Sequence, residues 1–239
     1  MSDIAFSFRP IGRVHSPYVE KFGIPRQPSL VDIPSQIEID APYARAEAFR
    51  GLADFSHIWV HWVFHRTLRE QWKPTVRPPR LGGNQRVGVF ASRSMFRPNA
   101  LGLSVVELLD IEQRGERMLL HLRGADMLDA TPVLDIKPYL PYVDAITDAR
   151  AGYAEQAPQA SLQVEFSVQA DAFIAAQTDL PELKIHLTQI LALDPRPAYR
   201  PGEQAERDYA MRLYRFDIHW CVDADRLRVT SVETISDQG

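Results

Sequence analysis

The sequence predicts a mainly β protein: an antiparallel β-barrel or strongly curved sheet in the N-terminal part, followed by a smaller α+β domain. Three observations lead there. Short apolar segments bounded by turn residues follow one another through the first 143 residues, with a single short helical stretch between them. The helices that repeated βαβ crossovers require are absent from that region. Residues 144–160 are rich in Ala, Asp, Gln and Gly and poor in large apolar side chains. They read as a linker between a domain at 1–143 and a second at 161–239. A chain of 239 residues accommodates one large domain or two small ones and buries a real core.

Residues 4–14 alternate loosely through Phe6, Phe8, Ile11 and Val14 and predict a first strand, ended by Ser16-Pro17. Three prolines and a glycine make residues 18–34 an ordered loop, within which Pro25-Arg26-Gln27-Pro28 is a rigid polar tetrapeptide. It reads either as a plain surface turn or as a site offering backbone groups and one guanidinium. Residues 36–40 predict a short strand, and residues 43–52 a short helix with Gly51 near its end. Residues 55–65 are aromatic and β-branched throughout, which predicts a strand buried on both faces. His57, His61 and His65 recur every fourth residue in it. On a strand that spacing spans about 13 Å, too far for neighbouring rings to share one metal ion. His65 and Arg66, at the strand end, suit ligand contact better.

The next stretch organises the chain. Two basic loops broken by Pro and Gly flank a short apolar strand at residues 87–91. Between Arg66 and Arg97 stand eight basic residues and one acid, a net +7 in a chain of net charge −4. Such polarity fits an anionic partner met by one face. Prolines hold the guanidiniums on stiff loops, and Trp72, Phe90 and Phe96 are interleaved with them, the mixture expected of a surface that meets phosphates and bases.

Residues 101–111 and 117–122 predict a hairpin around Arg114-Gly115-Glu116. The loop at 125–132 carries Asp126 and Asp129, which either accept hydrogen bonds from a ligand or bond their own backbone as turn residues. A strand at 133–137 follows. Beyond the linker come a strand at 161–168, a helix at 183–193, a rigid arginine loop from Asp194 to Arg200, and a hairpin of 209–222 with 226–232. No internal repeat is visible.

Composition excludes several classes. Cys221 is the lone cysteine, so one chain forms neither a disulfide framework nor a multi-cysteine zinc site. With 45% apolar and 24% charged residues and no apolar run of membrane length, the expectation is a cytoplasmic protein without a membrane or metal. No G-x-G-x-x-G, P-loop or G-x-S-x-G stands at a suitable turn.

Gly88 to Asn99, G-V-F-A-S-R-S-M-F-R-P-N, resembles the signature of the TsaA-like, or TrmO, family. Supporting blocks are P-R-Q-P at Pro25, F-S-H-I-W at Phe55, R-P-P-R-L-G-G-N at Arg77, T-P-V-L-D-I-K-P-Y at Thr131 and D-P-R-P-A-Y at Asp194. The resemblance covers nearly the whole chain. It implies a β-barrel, homodimeric methyltransferase using S-adenosylmethionine, which methylates N6 of N6-threonylcarbamoyl-adenosine (t6A) beside the anticodon of threonine tRNA. Carried over residue by residue, its cofactor contacts fall on Arg26, Gln27, Pro28, His65, Arg66, Arg93, Leu103, Leu128, Asp129, Ala130 and Thr131. Ala130 departs from a frequent glycine and Ala100 from a frequent proline. The target N6 is a poor nucleophile, and His65 or Asp129 is the candidate base, with pure positioning as the alternative. Arg77, Arg80, Arg86, Arg97, Arg196, Tyr199 and Arg200 are the candidate RNA contacts. An RNA-binding barrel without catalysis is the competing expectation.

Overall fold

A computed structural model describes residues 5–68, 71–196 and 207–235. Six strands close into an antiparallel barrel: β1 (Gly12–His15), β2 (Pro34–Ile39), β3 (His57–Val63), β6 (Leu101–Arg114), β7 (Arg117–Arg123) and β8 (Pro132–Pro138). Around the barrel the order is β1-β2-β7-β6-β3-β8. Closure leaves no free edge, and alternate residues of every strand meet inside. Val14, Ile37, Ile39, Ile58, Val60, Trp62, Val106, Leu120, Leu122 and Val133 fill that interior.

β3 corrects one expectation. Its burial alternates, with Ile58, Val60 and Trp62 buried and His57, Trp59, His61 and Val63 only partly covered. The cause is closure itself, since a barrel strand has one inner face. Its outer aromatic row is shielded instead by neighbours. The Tyr139 ring packs 5.9 Å from Trp59, and Trp59 Nε1–H donates to Asp144 Oδ2 at 2.9 Å in the short helix α1 (Pro141–Asp144).

Other boundaries moved for local reasons. Residues 43–52 hold no α-helix: two 3₁₀ turns, Ala46–Phe49 and Leu52–Asp54, are separated by Gly51 at φ 82°. The first strand begins only at Gly12. The central ribbon pairs β4 (Thr75–Val76) with β5 (Val87–Gly88), and the expected strand at 87–91 stops there. Residues 89–91 curl into a turn in which the Ser92 N–H donates to the Val89 carbonyl at 3.2 Å.

The C-terminal part is α+β. Its sheet runs β10-β11-β12-β9, from β9 (Gln163–Phe166), β10 (Tyr209–Leu213), β11 (Phe216–Asp223) and β12 (Arg226–Thr234). The expected single strand at 209–222 is two, split by a tight turn with Tyr214 at φ 56°. A helix the sequence did not suggest, α2 (Val168–Ala175), starts where the Ser167 side chain accepts the Ala170 N–H at 3.0 Å. That cap ends the strand at Phe166 rather than at 168. α3 (Leu183–Ala192) buries Leu183, Leu187, Ile190 and Leu191 against the sheet.

The two parts share material. Tyr18, Val31 and Ile33, all on the loop between β1 and β2, are buried in the core of the C-terminal sheet beside Met211 and Leu213. The Tyr214 N–H donates to the Pro17 carbonyl at 2.8 Å, and the Asp32 N–H to Gln189 at 2.6 Å. Among the described residues no helix is long and apolar enough to cross a membrane.

Candidate functional site

The site grows from the chain segments that leave β1 and enter β8. The Ser16 N–H donates to Asp129 Oδ1 at 3.0 Å, and the Asp129 N–H donates back to the Tyr18 carbonyl at 2.8 Å. Ser16 Oγ–H donates to the Met127 carbonyl at 2.7 Å. Ala130 N–H reaches the Val14 carbonyl at 2.9 Å. To make these bonds Ala130 turns left-handed, at φ 58°, a conformation that costs a non-glycine residue about 1–2 kcal/mol. Such strain, held by surrounding bonds, is a mark of loops whose shape matters. Asp129 thus bonds across to another loop, not to its own turn, and one carboxylate oxygen keeps its accepting capacity for a ligand.

A second pair of loops closes against the first. The Ser29 N–H donates to the Gly124 carbonyl at 2.8 Å, and a Cβ on Gly124, itself at φ 75°, would lie 3.1 Å from Ser29 Cα. This contact brings the Pro25-Arg26-Gln27-Pro28 loop beside residues 124–131. Arg93, exposed on its own loop, donates through Nη1 to Gln27 Oε1. It also lowers the carboxyl pKa of Asp126 electrostatically, although burial dominates there and pushes that carboxyl up. Asp126 Oδ1 accepts from Ser104 Oγ–H at 2.6 Å, and Ser104 accepts from the Trp62 indole N–H at 3.1 Å. A hydrogen-bonded line therefore runs from the barrel interior to the loop that faces Arg93.

His65 lies in the turn after β3. Burial, reinforced by the Arg66 charge, lowers its pKa, so the ring is neutral at pH 7. Its Nε2 is buried without a hydrogen-bond partner. The Val63 backbone acts on the ring in the opposite sense, raising its pKa, but burial dominates. Asp129 is near enough to act on the ring electrostatically, as is Lys21, whose ammonium donates to the Arg66 carbonyl at 3.0 Å.

Not every expected residue converges. Leu128 and Pro28 are half-buried and Thr131 fully buried in these loops. Leu103 pairs with His61 on the outside of the barrel and is 49% exposed, whereas its neighbour Ser104 points inward. Arg26 turns toward the C-terminal part, where Nη2 meets the Arg196 carbonyl at 3.5 Å. Ser16, Ser104 and Lys21 support the site without having been singled out, because their partners lie far away in sequence, and Asp126, read as a possible ligand acceptor, bonds Ser104 instead.

Of the candidate RNA contacts, Arg77 and Arg86 are exposed on the central ribbon and make no ion pair among the described residues. Arg80 donates to the Gln156 carbonyl at 2.5 Å, so the linker crosses the basic segment. Two guanidiniums are committed elsewhere. Arg97 donates to the Ser92 carbonyl at 2.6 Å and braces its turn, and Arg196 forms a two-point pair with Asp194 at 2.7 and 2.8 Å. Tyr199 and Arg200 lie outside the described residues. Among the described residues no group of three or more His, Cys, Asp or Glu side chains gathers as a metal site would.

Comparison with known proteins adds a family. The model described as "tRNA-methyltransferase O N-terminal domain" matches residues 13–145, and that described as "TrmO C-terminal domain" matches residues 159–235. The chain is 46% identical over 231 residues to the tRNA (adenine(37)-N6)-methyltransferase of Escherichia coli (strain K12), covering 96% of this chain and 98% of that protein. It is also 46% identical over 217 residues to a putative S-adenosylmethionine-dependent methyltransferase, RcsF, of Pseudomonas aeruginosa, covering 90% and 91%. A crystal structure of TrmO from Pseudomonas aeruginosa superposes with a TM-score of 0.78 at 37% identity, covering 96% of this chain and all of that one.

Proposed function

The chain belongs to the TrmO family of tRNA methyltransferases, and on that footing we propose that it is an S-adenosylmethionine-dependent tRNA (adenine(37)-N6)-methyltransferase. The observation that carries this reading is a 46% identity spread over 96% of the chain, which includes both parts of the molecule. When bound, S-adenosylmethionine supplies an electrophilic methyl group on a sulfonium centre.

The residues present fit that cofactor. Arg93 presents a guanidinium for its carboxylate, steadied by Gln27. Asp129 keeps one oxygen for an amine or hydroxyl after Ser16 has used the other. The left-handed turn at Ala130 exposes backbone at the same place. The orphaned Nε2 of His65, buried beside these loops, is left for the substrate rather than for the cofactor, and leaving it unsatisfied costs about 1–3 kcal/mol.

In our reading the substrate is tRNA that already carries the threonylcarbamoyl group on adenosine 37. The N6 lone pair there is delocalised into both the ring and the carbamoyl group, so removal of the N6 proton raises reactivity. His65 is the base that takes it: burial lowers its pKa and so favours the neutral ring, its Nε2 has no partner among the described residues, and the Asp129 charge acts on it. Asp129 orients the reactants from the opposite loop. Threonine tRNA as the preferred acceptor, a homodimeric assembly and a cytoplasmic location complete the proposal, and they rest on the family resemblance. The test is methyl incorporation into bulk tRNA lacking or retaining the threonylcarbamoyl group, followed by nucleoside analysis. Label in the unmodified pool, or in neither pool, refutes the substrate reading.

A further inference from the structure

Outside the cofactor loops, one surface combines two properties that folded proteins rarely leave together in water. Phe90 is 72% exposed and Trp72 48% exposed, and the two rings are stacked with centroids 6.2 Å apart and planes 29° from parallel. The pair is held in place. The Val89 N–H donates to the Pro74 carbonyl at 3.0 Å, and the Lys73 N–H donates to the Phe96 carbonyl at 3.2 Å. These bonds fasten the turn that bears Phe90, and the loop after it, to the segment that carries Trp72 and leads into β4. The Arg97 guanidinium, itself anchored on the Ser92 carbonyl, lies 5.9 Å from the Phe90 ring centroid, and Lys73 lies 4.9 Å over Phe96.

Aromatic rings and Arg also occur at protein–protein interfaces, but Lys is depleted there, and Lys73 stands over Phe96 beside the pair. Pre-ordered rings with cations set against them are the arrangement that binds single-stranded nucleic acid, with flat faces for bases and positive charge for the backbone. The segment's net charge of +7 in an otherwise acidic chain complements that partner and no neutral one. Phe90 and Arg93 are three residues apart, so their Cα atoms lie within about 11 Å of each other.

We propose that Trp72 and Phe90 form a stacking platform for an unpaired nucleobase adjoining the target adenine, with Arg77 meeting the neighbouring phosphate. This rests on the reading of the chain as a tRNA methyltransferase and adds a subsite to it. An adenine presented for chemistry at N6 leaves its own stack, and its former neighbour loses a stacking partner. The platform replaces that partner without reading sequence.

The test uses the full chain with an anticodon stem-loop carrying 2-aminopurine next to the target position. The unsubstituted protein quenches its fluorescence on binding. Phe90→Leu and Trp72→Leu abolish the quench and weaken RNA binding roughly ten- to a hundredfold while leaving the KM for S-adenosylmethionine unchanged. Phe90→Tyr restores both. The salt dependence of binding keeps its slope in the leucine variants, whereas Arg77→Gln lowers it by about one. Normal quench and affinity in both leucine variants overturn the platform. So does a change in sedimentation, with RNA binding intact, which would make the surface a contact between copies. Quenching without methyl transfer by the unsubstituted protein instead sinks the methyltransferase reading and leaves the platform standing.

Discussion

Replacing Gly102 by alanine tests the line from the barrel interior to the site. A Cβ built there falls 2.2 Å from Trp62 Cε2 and 2.4 Å from Cδ2, where ordinary contact begins at 3.4 Å. The indole has little room to retreat, because Phe64 meets it edge-on with centroids 4.3 Å apart. Overpacking of this kind costs about 1–3 kcal/mol. A displaced indole also lets go of Ser104, a buried hydrogen bond worth about 0.5–1.5 kcal/mol. Removing a glycine from a strand returns roughly 0.5–1 kcal/mol. The net loss centres on about 2 kcal/mol, which speeds amide exchange through opening of the barrel about 30-fold. Hydrogen exchange resolved by peptide checks this: protection falls in β3 and β6 and holds in β11, whose core around Trp220 is separate. The same variant shows a raised KM for S-adenosylmethionine, because Ser104 no longer holds Asp126. Unchanged protection in β3 and β6 refutes the packing argument.

Asp126→Asn keeps an acceptor for Ser104 and removes a buried charge. Burial raises the carboxyl above its ordinary value of 3.8, so the folded chain binds the proton more tightly and stability falls as pH rises through that window. Urea midpoints therefore favour the asparagine variant at pH 8, and the advantage shrinks toward pH 4; a constant difference across pH counts against a buried carboxylate. Ala130→Gly relieves the left-handed turn and raises the urea midpoint by the equivalent of about 0.5–1 kcal/mol, with a fall indicating that the turn is not strained. His65→Asn lowers kcat by about 10²- to 10⁴-fold with little change in the KM for S-adenosylmethionine. In the parent protein the acid limb of the pH–rate profile lies below 6.5, because burial depresses the His65 pKa; a limb at or above 6.5 contradicts a buried neutral base.

The barrel was legible because short apolar segments follow one another between turns that carry Gly or Pro, with too few helices for parallel crossovers. β6 and β7 meet around Gly115 as expected. What local pattern cannot convey is a cap or a turn without special residues. Ser167 reads equally well as the end of a strand or the start of a helix, and Tyr214 gives no sign that it will turn left-handed. Counting arginines located the basic face but not which guanidiniums stay available. Arg97 is consumed by the Ser92 carbonyl, a backbone partner invisible in composition. Asp194, two residues before Arg196, was a readable warning. The bonds that shape the candidate site, Ser16 to Asp129 and Ser104 to Asp126, join residues 113 and 22 positions apart, beyond any periodicity.

The loop between β1 and β2 sets a rule for anyone cutting or grafting this protein. Tyr18, Val31 and Ile33 grow from the barrel yet complete the other part's interior. Severing the chain at the linker strands three greasy side chains on one fragment and opens a hole in the other. A hybrid that exchanges the C-terminal half for a homologue's succeeds only when residues 17–33 travel with it.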